Sequence, residues 1–516
     1  MQLGIDFGTT RTVVAFADRG NYPVVDFVDH QGDAAGWIPS MVAARGEELR
    51  YGFDAAAVAG DPSFSTLHSF KRLLSDPEAG PGREVRVGDV TVPLGRLLTG
   101  FFEHVRDAVL ERSNARRSRS RGTKLQAAVA VPANALGAQR LTTVDAFRRA
   151  GFEVGAMLNE PSAAGFEYTH RHRSTLSARR DLVVVYDLGG GTFDASAVRM
   201  AGARHEVLAT AGLPKLGGDD FDEVLARTAL LQVDLELDAL PARAARKLLL
   251  QCREAKERLH PNSRKIVVDL DAALGSLAPR PEVVVQTADY YEACAPLVSR
   301  TIDAMAPVMS RFEREAQPEL ADIAGIYVVG GASELPIVAR ALRERFGRRV
   351  HRSPYPSAAV AIGLAIAQDR AADFSLVDRY ARTFGVFREG SGGREITFDA
   401  IFEPDTALPE REAGPLTRKR SYRAAHNVGH YRFFECASVD GAGKPRGDMT
   451  IFGDVRFPFD ARPAAEALDV GALPIERRRA EGPHIEERYS LDEHGIVEVV
   501  ICNLDSGYER AYRLGS

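Results

Sequence analysis

Short runs of β-branched and aliphatic residues, Leu182 to Tyr186 and Ile326 to Val329 among them, end in glycine clusters and lead into helical patterns. This alternation continues to about Arg370 and predicts an α/β architecture. One helix is marked by its spacing. Leu248, Cys252, Ala255 and Leu259 recur at steps of four, three and four, which stacks them on one apolar stripe and leaves Arg253, Lys256 and Glu257 off it. Beyond Arg370 the period shortens to two. The segments Glu395 to Phe402, Tyr431 to Ser438, Asp454 to Phe459, Ile485 to Leu491 and Ile496 to Asn503 predict strands. Asp492-Glu-His-Gly495, between the last two, predicts a hairpin turn whose glycine supplies a positive φ. The tail therefore reads as an all-β sandwich of roughly 130 residues, an ordinary domain size. The apolar stretch Asp373-Phe-Ser-Leu-Val-Asp378, bracketed by carboxylates, is either a linker or the first strand of that sandwich.

Composition narrows the class. The chain has 516 residues, enough for about three domains, with 45% hydrophobic and 27% charged residues and a formal net charge of -5. That balance gives no reason to expect a nucleic-acid partner. Two arginine-rich stretches, Arg112 to Lys124 and His170 to Arg180, carry no interleaved aromatics and read as solvated loops. Cys252, Cys294, Cys436 and Cys502 lie far apart with no CxxC spacing, which argues against a zinc site or a disulfide framework and for a reducing compartment. The start, MQLGIDFGTT, runs straight into a strand-and-glycine pattern rather than a signal peptide. No later apolar run approaches the roughly 20 residues that span a bilayer. The expectation is a cytoplasmic protein without a membrane partner.

Two segments repeat one idea: Gly4-Ile-Asp-Phe-Gly-Thr-Thr10 and Tyr186-Asp-Leu-Gly-Gly-Gly-Thr192. Each is a strand ending in Asp, then glycine, then threonine, which suggests an internal duplication. Glycines at a tight turn let backbone N–H groups approach a phosphate with no Cβ in the way, and a nest of such groups binds the anion. Hydroxyls of Thr9, Thr10 or Thr192 add a hydrogen bond. Asp6 and Asp187, at the strand ends, are acceptors suited to Mg²⁺ held through its water shell. Two facing loops of this kind would clamp one nucleotide.

These motifs resemble the seventy-kilodalton heat-shock (DnaK-like) chaperone family. The resemblance is carried by the two loops and by Phe70-Lys-Arg-Leu-Leu74, Ala130-Val-Pro-Ala133, Asn159-Glu-Pro-Ser-Ala-Ala164, Leu216-Gly-Gly-Asp-Asp-Phe-Asp222 and Val329-Gly-Gly-Ala332. In the tail it rests on Asp405-Thr-Ala-Leu-Pro409 and the hairpin from Tyr489 to Asn503. It implies an actin-like two-lobed ATPase domain with duplicated ribonuclease-H-like halves over 1–370, a linker over 371–379 and a β-sandwich peptide-binding domain over 380–516. It also implies slow, Mg²⁺-dependent hydrolysis of ATP to ADP. Lys71, Glu160, Asp187, Thr192 and Asp194 would form the catalytic group, with Lys71 on the γ-phosphate, and Asp6 and Asp187 would serve the metal. Nucleotide contacts would come from Gly8, Thr9, Thr10, Arg11, Gly189, Gly190, Gly191, Gly217, Gly218, Asp219, Arg253, Lys256, Glu257, Gly330, Gly331, Ala332 and Glu334. Pro132 and Arg140 match positions that relay nucleotide state to the linker. Implied partners are a client polypeptide or one dedicated protein, a co-chaperone and a nucleotide-exchange factor.

The chain departs from the family in two places. Where members carry Glu, Lys and often Arg before a serine, this helix has Arg253, Lys256, Glu257 and His260, and Ala332-Ser-Glu334 follows the last glycine pair. Glu334 cannot stack on a base as a planar guanidinium does. The expectation is weaker ATP binding or relaxed base preference. The sequence also stops at Ser516, where the family continues into a helical lid, and a lidless chaperone would exchange peptide fast. A second reading is a nucleotide-regulated partner-binding module with little hydrolysis. A sugar kinase of the same fold is disfavoured by the sandwich and the Lys71 motif, and an actin-like filament has no sequence support.

Overall fold

The run Leu182-Val-Val-Val-Tyr186 is buried along its whole length because it lies at the centre of a sheet, with strands on both sides. The computed structural model describes residues 1–76, 78–118, 124–133, 135–172, 176, 180–201, 204–313, 323–372, 375–404, 406–410, 413–461 and 470–515. In it the two aspartate-tipped segments are central strands of two sheets on one plan. The first sheet runs Glu153–Asn159, Gln126–Val131, Gln2–Phe7, Arg11–Phe16, Ile38–Pro39. The second runs Val350–Arg352, Ile323–Val329, Leu182–Leu188, Phe193–Ala201, Arg204–Leu213, Ser375–Val377. In both, the aspartate-bearing strand has a parallel neighbour on one side and an antiparallel one, reached through the glycine turn, on the other.

Two helices join the lobes at their centre. Ala359–Gln368 packs on Glu160–His172 and on the strand Gln2–Phe7. The crossing is close enough that a Cβ on Gly363 would come to 1.8 Å from the carbonyl oxygen of Ala163, so only glycine fits there. This is the actin-like two-lobed fold.

The tail forms two four-stranded antiparallel sheets, Glu395–Phe402, Thr383–Gly390, Val428–Val439, Pro445–Pro458 and Leu416–Arg423, His484–Leu491, Val497–Asn503, Tyr508–Arg513. Phe384, Val386 and Phe433 from one sheet meet Tyr489, Val499 and Ile501 from the other in a shared core, which makes it a β-sandwich. Gly495 has φ +73° in the hairpin turn. The strands Thr383–Gly390, Leu416–Arg423 and Tyr508–Arg513 escaped the period-two reading. The helix read from Leu248 spans Ala242–Glu257, so Leu259 lies beyond its end. Of the apolar stretch before the sandwich, 373 and 374 lie outside the described residues. Ser375–Val377 is a strand, but it pairs in parallel with Arg204–Leu213 on the second lobe, so it is not the sandwich's first strand. Parts of both arginine-rich stretches and Asp405 also lie outside the described residues. All four cysteines are buried and free, and among the described residues no helix is long and apolar enough to cross a membrane.

Candidate functional site

The two glycine turns face each other. A Cβ on Gly190 would reach Thr10 at 3.0 Å, and one on Gly191 would meet Thr9 Oγ1 at 2.7 Å. They form opposite walls of a cleft of about 940 Å³ between the lobes. Asp6, Gly8, Thr9, Thr10 and Arg11 line it from the first lobe, and Asp187, Gly189, Gly190 and Thr192 from the second. Gly218 and Asp219, at the start of the helix Gly218–Leu231, and Gly330 and Gly331, after the strand Ile323–Val329, complete the floor. Gly191 and Gly217 stand behind this lining, packed backbone to backbone.

Lys71, in the short 3₁₀ turn Phe70–Ser75, and Glu160, the first residue of the helix Glu160–His172, meet at 2.6 Å with both side chains over nine-tenths buried. Around them stand Asp6, Asp187 and Asp194. Burial pushes Asp6 up to about 7, with Glu160 adding to the shift and Lys71 opposing it. Asp194 is raised to about 8 by burial and Glu160, against Lys71 and the Ala133 N–H that donates to it at 3.2 Å. Asp187 is raised by burial and then by Glu160, Asp6 and Asp194. Burial works against the Lys71 ammonium, but Glu160 and Asp6 outweigh it and raise its pKa. Four carboxyl groups crowd one lysine, so ionising them all builds an excess of negative charge that the upward shifts register and that a bound cation would relieve. Among the described residues no three acidic, His or Cys side chains stand close enough to hold an ion directly.

The other end of the cleft is lined by Arg253, Lys256, Glu257, Ala332 and Glu334, together with Tyr291, Arg340, Arg343 and Arg352, which the sequence did not signal. The charges on the helix Ala242–Glu257 are largely committed within the second lobe. Arg253 donates to Asp219 at 2.7 Å and Asp222 at 3.0 Å, and Lys256 pairs with Asp222 at 2.6 Å and donates to the Gly218 carbonyl at 2.7 Å. Glu257 instead accepts from Arg11, and Glu334 faces Arg352 at 3.6 Å. Arg72, from the first lobe, reaches the Gly191 carbonyl and Asp220 of the second.

Behind the cleft, polar contacts lead to the sandwich. Asn159, next to Glu160, donates from its backbone and side chain to Asp378 at 3.3 and 2.7 Å, and Arg140 donates to Asn159 Oδ1 and to the His494 carbonyl. The Gly137 N–H, at the start of the helix Gly137–Arg149, donates to Glu435, which also accepts from Tyr380 at 2.5 Å. Asp378 and Glu435 are fully enclosed, and burial raises both carboxyl groups.

A family model described as Hsp70 protein matches residues 99–413. The Chaperone protein HscA of Cronobacter sakazakii is 34% identical over 529 aligned positions, covering 99% of this chain and 77% of that protein. The HscA homolog of Shewanella denitrificans is 32% identical over 81% of this chain and 66% of its own length, and the HscA of an Escherichia coli strain is 29% identical over 99% of this chain. The duplicated lobes, the facing glycine turns and the appended sandwich agree with these matches, and the chain belongs to the Hsp70 family of chaperones.

Proposed function

We propose that the protein is an ATP-dependent chaperone in which residues 1–370 hydrolyse Mg²⁺·ATP and residues 380–516 bind an extended peptide or a dedicated client, coupled through residues 371–379. The observation that carries the reading is the pair of facing glycine turns with Lys71, Glu160 and the three aspartates between them. The turn N–H groups and the hydroxyls of Thr9, Thr10 and Thr192 hold the phosphate oxygens. Lys71, kept in place by Glu160, neutralises charge on the γ-phosphate. Asp194, in its ionised form, accepts a proton from the attacking water as the bond from the γ-phosphorus to its bridging oxygen breaks, giving ADP and phosphate. Asp6 and Asp187 would hold Mg²⁺, which would supply charge neutralisation at the phosphates.

The client reading is supported by the outer face of the sheet that contains Thr383–Gly390. Phe387 lies 5.2 Å from both Phe398 and Phe434, ring centre to ring centre, and Ile396, Ile451 and Met449 are 74%, 61% and 49% exposed beside them. Register puts these side chains opposite to the core-facing Phe384, Val386 and Phe433. An apolar face of this kind takes alternate side chains of an extended chain. A co-chaperone and a nucleotide-exchange factor would act on the same cycle, in the cytoplasm. The carboxylates Glu257 and Glu334 at the base end favour a second reading, in which nucleotide regulates partner binding with little hydrolysis.

Single-turnover hydrolysis of ATP by the wild type and by Lys71→Ala, with and without an extended hydrophobic peptide, separates the two. Turnover that peptide stimulates and the substitution abolishes is the expected result. Tight nucleotide binding with no turnover selects the partner-binding module, and no nucleotide binding at all rejects both.

A further inference from the structure

Arg11 and Glu257 are 246 residues apart in sequence and on different lobes, yet the guanidinium donates to the carboxylate at 2.5 Å. Arg11 opens the strand Arg11–Phe16, and Glu257 ends the helix Ala242–Glu257. Both line the cleft, so their contact is a bar across it rather than beside it. The arginine is oriented for this. Its guanidinium lies 4.5 Å over the ring of Trp37, and its backbone pairs with Pro39, which fixes the side chain's root in the first-lobe sheet. On the other side, Arg253 and Lys256 spend their charge on Asp219 and Asp222 within their own lobe, whereas Glu257 turns to the opposite lobe.

Resting on the nucleotide reading above, we propose that Arg11 and Glu257 are positioning residues that contact each other rather than the nucleotide. They hold the lobes closed over it and set its rate of release. Beside the cleft the lobes have further ties, from Arg72 to Asp220 at 3.2 Å and from Ser69 to Asp219 at 3.0 Å. The bar at the base end is the one a leaving nucleotide opens while those other contacts stay made. Arg11 and Glu257 are 31% and 39% exposed, so the pair acts in a partly screened setting and its loss speeds release by about fivefold, equivalent to ~1 kcal/mol. Because the Debye length shrinks from about 10 Å at 0.1 M salt to about 3 Å at 1 M, release from the wild type accelerates with salt.

The test is stopped-flow release of methylanthraniloyl-ADP from the full chain, at 0.1 M and 1 M KCl, for the wild type, Glu257→Gln and the reciprocal exchange Arg11→Glu/Glu257→Arg. Expected are about fivefold faster release from Glu257→Gln with its salt dependence lost, and a return toward slow, salt-sensitive release in the exchange. Release from Glu257→Gln at the wild-type rate, or with undiminished salt dependence, overturns the clamp while leaving the nucleotide site standing. A wild type that binds none of the labelled ADP overturns the nucleotide reading, and the clamp with it.

Discussion

The ammonium of Lys71 lies 2.6 Å from the carboxylate of Glu160, both buried between the glycine turns and amid three further carboxylates. Removing one member of a buried pair strands the other's charge, at a cost of about 3–5 kcal/mol. Lys71→Met therefore lowers the thermal midpoint of the nucleotide-free protein as well as its activity. The double variant Lys71→Met/Glu160→Gln recovers part of that loss, since it removes the stranded charge. Differential scanning fluorimetry of the three proteins decides this, and a double variant no more stable than Lys71→Met alone counts against the pair as described.

Asp6 and Asp194 are held up to about 7 and about 8, first by burial and then by Glu160. These folded values lie above the ordinary carboxylate range near 4, so the two groups carry protons at neutral pH that the unfolded chain has released. With more protons on the folded state, their contribution to stability is present at low pH and is lost as pH rises toward 8. The cation requires the ionised forms. Binding of Mg²⁺·ATP then releases protons at pH 7, and its affinity rises with pH up to about 8. Calorimetric titration at pH 7 in buffers of different ionisation heat measures the release directly. A binding heat that does not vary with the buffer would refute the assignment of these pKa values to the nucleotide site.

Much of this site was legible because its parts are local. Each aspartate, glycine and threonine of the turns lies within a few residues of the others, and the backbone conformation that brings them together is a property of the turn itself. Asp187 needs only a buried strand before it and a glycine run after it. Arg72 and Asp222 were less visible, although both sit inside recognised motifs, because their partners lie about 150 and 30 residues away, the first across the lobes and the second on another helix of the same lobe. Arg340, Arg343 and Arg352 carried no signal at all: exposed arginines on a helix and at a strand's end read as solvation until the fold turns them toward a cleft. In the sandwich, Leu416–Arg423 was hidden for a related reason. Arg418 and Arg420 occupy positions facing the other sheet, where Arg420 joins Arg388 on Asp399, so the strand lacks the apolar alternation that marks the others.

Asn159 and Glu160 are neighbours in sequence with opposite duties, one holding Asp378 and the other holding Lys71. Any shift of this peptide as the cleft fills must alter the contact with Asp378, which is the differential interaction that coupling requires. Asp378→Ala removes the acceptor without touching the cleft. Basal hydrolysis is expected within about twofold of wild type while stimulation by peptide is abolished. Steady-state ATPase assays with and without peptide measure both, and full stimulation in Asp378→Ala would remove this contact from the pathway.

The base end of the cleft offers a last test, because stacking and charge oppose each other there. A purine held between planar guanidinium groups gains from their cation–π attraction, whereas Glu257 and Glu334 present carboxylates. Arg11 neutralises the first and Arg352 partly neutralises the second, so neither repels the base strongly, but neither stacks. Most binding energy then comes from phosphate contacts that ATP and GTP share. Unlabelled GTP should displace labelled ATP at a concentration within about tenfold of ATP itself, a difference of ~1.4 kcal/mol or less. Glu334→Arg, which restores a planar cation at that position, should widen the gap in favour of ATP. A wild type that already rejects GTP by a hundredfold or more would mean that other lining groups, with Tyr291 foremost, read the base.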